Sequence, residues 1–229
     1  RDRDQLIPLG EYLRSTQPVQ IYPPGEISAY SNYGAALAGY IVEQISGIPY
    51  EQYIEENIFQ PLGMSRSTFR QPVPSHLAGD LATGYRCAQS SACRVGAFEY
   101  IQASPAGSLS STAADMARFM LAHLNGGSLE GQRILQTETL ELMHSGHFSH
   151  DPQLKGWAHG FFESELHGVR ILSHTGDTIY FHSDMLLFPD LGIGLFVSYN
   201  SEMGSLARME LLEAFLDRYF PVQPLSVQS

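Results

Sequence analysis

A chain of 229 residues, 43% apolar and 16% charged, can bury a core and is expected to form one domain over 1–229. Its formal net charge is −11, with 13 lysines and arginines against 24 acids, so the clustered cations that nucleic-acid binding needs are missing. No apolar run approaches the roughly 18 residues that would span a bilayer, and the charged opening Arg1-Asp2-Arg3-Asp4 does not read as a signal peptide.

In chain order, the extended segment Ile21-Tyr22-Pro23-Pro24-Gly25 precedes a helix predicted over Asn32–Ser46. Leu37, Tyr40, Ile41 and Ile45 recur there at spacings of three and four, and Gly47 suits a left-handed stop. Pro49 suits the start of a second helix, with Tyr53, Ile54 and Ile58 along one side and a halt before Pro61-Leu62-Gly63. Cys87 and Cys93 flank a turn-like Gln89-Ser90-Ser91-Ala92; the spacing leaves open either a small disulfide loop or two free thiols. Two cysteines without neighbouring histidines give too few ligands for a metal.

Thr112 and Asp115 approximate a capping box for a helix with Met116, Phe119, Met120 and His123 on one face and a break at Asn125-Gly126-Gly127. A short helix is predicted over 137–143. The texture then changes to apolar, β-branched and aromatic runs, read as strands over 169–175, 180–188 and 194–199. Pro189-Asp190-Leu191-Gly192 forms the turn between the last two. A closing helix carries Met203, Leu206, Leu211 or Leu212, Phe215 and Tyr219 as an apolar stripe. The layout is thus α+β, with a helical region over about 1–150 and a sheet with a C-terminal helix over about 151–220.

His144, His147 and His150 recur every third residue, and Glu163 lies four before His167, but Ser145-Gly146 and Ser149 favour a solvated loop over a metal site. Gly-x-Ser-x-Gly does not occur. Two short motifs remain: Tyr30-Ser31-Asn32 at the start of the first long helix, and His174-Thr175-Gly176 on the first strand. With the stretch SPAGSLSSTAADMARFMLAHLNGG and the Pro-Asp-Leu-Gly turn, they resemble the second and third motifs of the penicillin-recognising serine hydrolases. That family includes class C β-lactamases, penicillin-binding proteins, and related esterases and D-amino-acid peptidases. The resemblance runs from about Leu9 to Tyr219.

The resemblance implies a β-lactamase/transpeptidase-like α+β fold, an antiparallel sheet flanked by helices beside a mostly helical region. It also implies a Ser-x-x-Lys motif, in which the serine attacks a carbonyl. The single lysine here is Lys155, with Pro152 three positions before it, so the nucleophile and the N-terminal part of the fold are expected upstream of Arg1. An opening without Met agrees with that expectation.

By resemblance Tyr30 is the catalytic proton shuttle, Asn32 holds a substrate amide, and His174, Thr175 and Gly176 bind substrate along the strand. The backbone N–H of Asp177 is half of the oxyanion hole. A phenol, with an ordinary pKa near ~10, needs cationic neighbours to act as a base at neutral pH. β-Lactamases carry Lys where this chain has His174; a neutral imidazole only donates or accepts a hydrogen bond, which weakens recognition of a penicillin carboxylate. Asp177 departs from the small residue usual there, and a carboxylate facing a developing oxyanion would be repulsive.

The implied function is acyl transfer through a serine acyl-enzyme on esters, amides or D-amino-acid peptides, with β-lactams a lesser option. The alternative is a non-catalytic ligand-binding scaffold on the same fold. No cofactor is expected. The expected partners are a small-molecule or peptide substrate and the chain's own N-terminal fragment or a second copy; the family's usual location is extracytoplasmic.

Overall fold

The computed structural model describes residues 3–87, 92–151 and 153–222. Helices α1 (Leu9–Ser15), α2 (Asn32–Ser46), α3 (Tyr50–Ile54), α4 (Gln60–Leu62) and α5 (Ser75–Ala78) come first, followed by the short hairpin β1 (Tyr85–Arg86) and β2 (Arg94–Val95). Next come α6 (Ser104–Gly107), α7 (Ala113–Leu124), the hairpin β3 (Ser128–Leu129) and β4 (Gln132–Arg133), and α8 (Thr137–His144). Strands β5 (Phe162–Leu166), β6 (Val169–Asp177), β7 (His182–Phe188) and β8 (Ile193–Tyr199) then form an antiparallel sheet in sequence order, and α9 (Gly204–Tyr219) closes the chain.

The sheet is sandwiched. Alternation sends Met185 and Leu187 of β7 to one face, where they pack with Leu172 and with Met116 and Met120 of α7. Leu186 and Phe188 go to the other face, against Leu212, Phe215 and Leu216 of α9. Burial on both faces explains why β7 reads as an apolar run rather than an alternating one. Among the described residues the sheet has four strands, not the three the sequence suggested. Phe-Glu-Ser-Glu-Leu of β5 is too polar to announce itself, and His167 and Gly168, at φ 53° and 74°, supply the two-residue turn into β6.

α2 starts where the sequence indicates: Ser31 caps it, its hydroxyl accepting the Gly34 N–H at 3.1 Å, and Gly47 ends it at φ 74°. Of the predicted stripe only Tyr40 packs, against the cluster of Leu13, Ala36 and Ala103. Leu37, Ile41 and Ile45 are 38%, 49% and 83% exposed, while Ala36 and Gly39 are buried. A Cβ on Gly39 would lie 2.4 Å from Pro105 Cγ, so α6 approaches too closely for any larger residue. The helix after Pro49 also departs from expectation: it continues through a π-helical turn at Glu55–Phe59 and through Pro61 to Leu62, stopping at left-handed Gly63.

Thr112 caps α7 as predicted, its hydroxyl accepting the Asp115 N–H at 3.2 Å. The Asp115 carboxylate does not return to Thr112; it accepts from the Arg66 N–H at 2.8 Å and the Ser67 hydroxyl at 2.7 Å, tying the segment after α4 to α7. Cys87 and Cys93 are disulfide-bonded with Cα atoms 4.1 Å apart; most of the turn expected between them lies outside the described residues.

The predicted histidine spacing resolves into separate pairings. His144 ends α8 with Nε2 3.0 Å from Nδ1 of buried His123 on α7, His147 contacts the ring of His159, and His150 Nε2 accepts the Ser28 N–H. Burial first, then the neighbouring His144, pushes His123 down to about 4; burial and Arg170 lower His144 as well. The unfolded chain therefore binds more protons than the folded one between about pH 6.5 and 4. Stability is full above that window and is lost as pH falls through it. The urea midpoint is expected to drop from pH 7.5 to pH 5, and His123→Leu to flatten the drop; equal pH dependence in both proteins would refute this assignment.

Candidate active site

Tyr30 lies in the extended segment just before the Ser31 cap, and its side chain is 55% exposed. His174 projects from β6 as the register partner of Met185, on the face turned toward the helical region. The two rings meet from distant parts of the sequence, with centroids 5.9 Å apart at 52°. Sequence reasoning did not find the two residues beside them. Phe162 lies 5.5 Å from His174 and 6.3 Å from Tyr30, and Trp157 lies 4.2 Å from Phe162 and 6.3 Å from Tyr30. Trp157 reaches this wall because its backbone bridges both Phe148 and Phe162. The signal available was the chain's only tryptophan, five residues before a phenylalanine at a strand start.

The His174 Nδ1–H donates to the Thr175 carbonyl at 2.7 Å. In the neutral ring that leaves Nε2 with its lone pair as the free acceptor. Asn32, the first residue of α2, is exposed. Gly176 shares the His174 side of the strand by alternation; Thr175 and Asp177 pair with Asp184 and His182 and so project to the α9 side. The structure thus groups Tyr30 with His174 and separates the Thr175 and Asp177 side chains from them.

The backbone at this end of β6 is open. β5 begins at Phe162 opposite Ser173, so among the described residues β6 has no strand on that edge beyond Ser173. Alternate N–H groups of a strand point to opposite edges, and Thr178 donates toward β7, to the Phe181 carbonyl at 2.9 Å. The Asp177 N–H therefore points to the open edge.

The Asp177 carboxylate turns away from that edge. It accepts from Arg208 Nη2 at 2.8 Å and from His182 Nδ1 at 2.6 Å. Burial works to raise its pKa, but the hydrogen bonds and charges of Arg208 and His182 hold it below the usual carboxylate value. The carboxylate is therefore paired and does not face the open edge. Chemically, the site offers a phenol, an imidazole acceptor, an aromatic wall and an N–H aimed at an open strand edge: a proton donor–acceptor set beside a place for a carbonyl oxygen.

The chain is similar to known proteins over most of its length. A sequence model of the β-lactamase family matches residues 5–215. Beta-lactamase-like protein 2 of Dictyostelium discoideum is 29% identical over 181 residues, covering 78% of this chain and 32% of that protein. Among solved structures, the octameric penicillin-binding protein homologue from Pyrococcus abyssi superposes with a TM-score of 0.67 at 27% identity, over 84% of this chain and 44% of the other. The D-amino acid amidase from Ochrobactrum anthropi gives 0.68 at 25% identity, over 86% and 59%. The chain spans between about a third and three-fifths of these relatives.

Proposed function

The chain belongs to the β-lactamase family, with its α+β fold, and from that premise we propose that it carries the tyrosine and strand-edge half of a serine acyl-transfer site. The observation that supports this most directly is the Tyr30–His174 contact beside the open edge of β6. In this reading a serine upstream of Arg1 attacks the substrate carbonyl. Tyr30, held as a phenolate by the lysine of the upstream Ser-x-x-Lys, takes the serine proton and returns it to the leaving alcohol or amine. The carbonyl oxygen, negative in the tetrahedral intermediate, is held by the Asp177 N–H; water then attacks the acyl carbon, and Tyr30 takes its proton and returns it to the departing serine oxygen. Asn32 at the helix start and Gly176 on the strand border the substrate.

With His174 in place of a fixed cation, the substrates are esters, amides or D-amino-acid peptides before β-lactams. Leu37, Ile41 and Ile45 form a continuous apolar stripe on α2, which a monomer rarely leaves bare. Its cover in this reading is the protein's own upstream segment, with a second copy as the alternative.

The test is turnover. The protein with its upstream part is expected to hydrolyse a chromogenic ester or D-amino-acid anilide, and the 229-residue chain alone to give only the buffer rate. Turnover by the chain alone that Tyr30→Phe abolishes would overturn the assignment of the nucleophile.

A further inference from the structure

Arg208 reaches from α9 to the end of the site strand, with its side chain only 11% exposed. Nη2 donates to Asp177 Oδ2 at 2.8 Å, and Nη1 donates to the Ser183 carbonyl at 2.9 Å and the Gly176 carbonyl at 3.3 Å. One guanidinium thus links α9, β6 and β7. His182 completes the arrangement from β7, donating Nδ1–H to the other carboxylate oxygen of Asp177.

The Gly176 carbonyl and the Asp177 N–H belong to one peptide unit. That unit is planar and trans, so its C=O and N–H point in opposite directions. Holding the oxygen on the β7 side fixes the N–H toward the open edge. A cation on the carbonyl oxygen also withdraws electron density from the amide and makes its N–H a stronger donor. The carboxylate of the same residue is gripped by the same guanidinium, so the plane is held at two points.

We propose that Arg208 is a positioning residue that orients and polarises the Gly176–Asp177 peptide so that its N–H binds the substrate carbonyl oxygen. This rests on the oxyanion role given to that N–H above. The fork matters: three acceptors lie at one guanidinium, and an ammonium cannot serve them with the same geometry. Arg208 touches no reacting atom in this reading; it acts through the peptide.

The experiment pairs kinetics with amide hydrogen exchange in the intact protein. Loss of an oxyanion donor costs about 10²–10³-fold in kcat, so misplacing one through Arg208→Ala is expected to cost roughly 10–100-fold, with KM little changed. Arg208→Lys is expected to restore part of it. Exchange is expected to rise in peptides covering 174–178 and to stay slow over 169–172, which general destabilisation would not do. Asp177→Asn, which keeps the Gly176 contact and loses the ion pair, is expected to fall between the two. Unchanged kcat with unchanged exchange would overturn the proposal, as would a fall in kcat matched by equal exchange along all of β6. Exchange rising only at 174–178 in a protein that turns over no ester would sustain the anchoring by Arg208 and overturn the catalytic reading instead.

Discussion

Replacing Tyr30 with phenylalanine is expected to lower kcat of the intact protein by about 10²–10⁴-fold, the usual weight of a lost general acid–base group. The substitution is unusually clean here. The benzene ring keeps its contacts with Trp157, Phe162 and His174, which depend on the ring and not on the hydroxyl. The Ser31 cap on α2 is untouched. Stability is therefore expected to hold while chemistry fails, and a thermal unfolding curve beside the kinetics separates the two. His174→Ala, by contrast, removes an acceptor and one wall of the site, and is expected mainly to shift preference among substrates. A Tyr30→Phe enzyme with wild-type kcat would remove Tyr30 from the proton path.

Much of the fold was legible because local signals agreed with tertiary needs. The end of α2 followed from Gly47, whose role is set by backbone geometry within one turn. β7 and β8 announced themselves through apolar runs on either side of Pro189-Asp190-Leu191-Gly192, where Gly192 adopts φ 65°. What failed depended on which neighbour a face meets. The α2 stripe had a correct helical period, but only Tyr40 of it packs; Leu37, Ile41 and Ile45 stand exposed, and the close contact is made by Ala36 and Gly39. Close approach selects small residues, and a hydrophobic pattern cannot show that. In α9, Leu212 and Phe215 of the expected stripe do pack, with Leu216, while Met203, Leu206 and Tyr219 stand exposed.

The site shows the same division. Tyr30 and His174 were legible as motif residues, and the resemblance implied that they share one cleft; their rings do meet, 5.9 Å apart. Trp157 and Phe162 were not legible, because their place depends on backbone bridges between loop and strand. Nor were Arg208 and His182, because which side chains stand opposite Asp177 is decided by the β6–β7 register and the docking of α9. Asp177 read as an electrostatic obstacle in sequence and is an anchored, paired carboxylate in three dimensions.

The central claim is that this chain supplies the proton shuttle and strand edge for a serine lying outside it. Covalent capture tests this most directly: the intact protein is treated with a fluorophosphonate or a fluorescent penicillin, digested, and the modified residue located by mass spectrometry. One label is expected, on a serine of a Ser-x-x-Lys sequence before Arg1, forming far more slowly in Tyr30→Phe. A label on any residue within 1–229, or none under conditions where the protein turns over an ester, would contradict it.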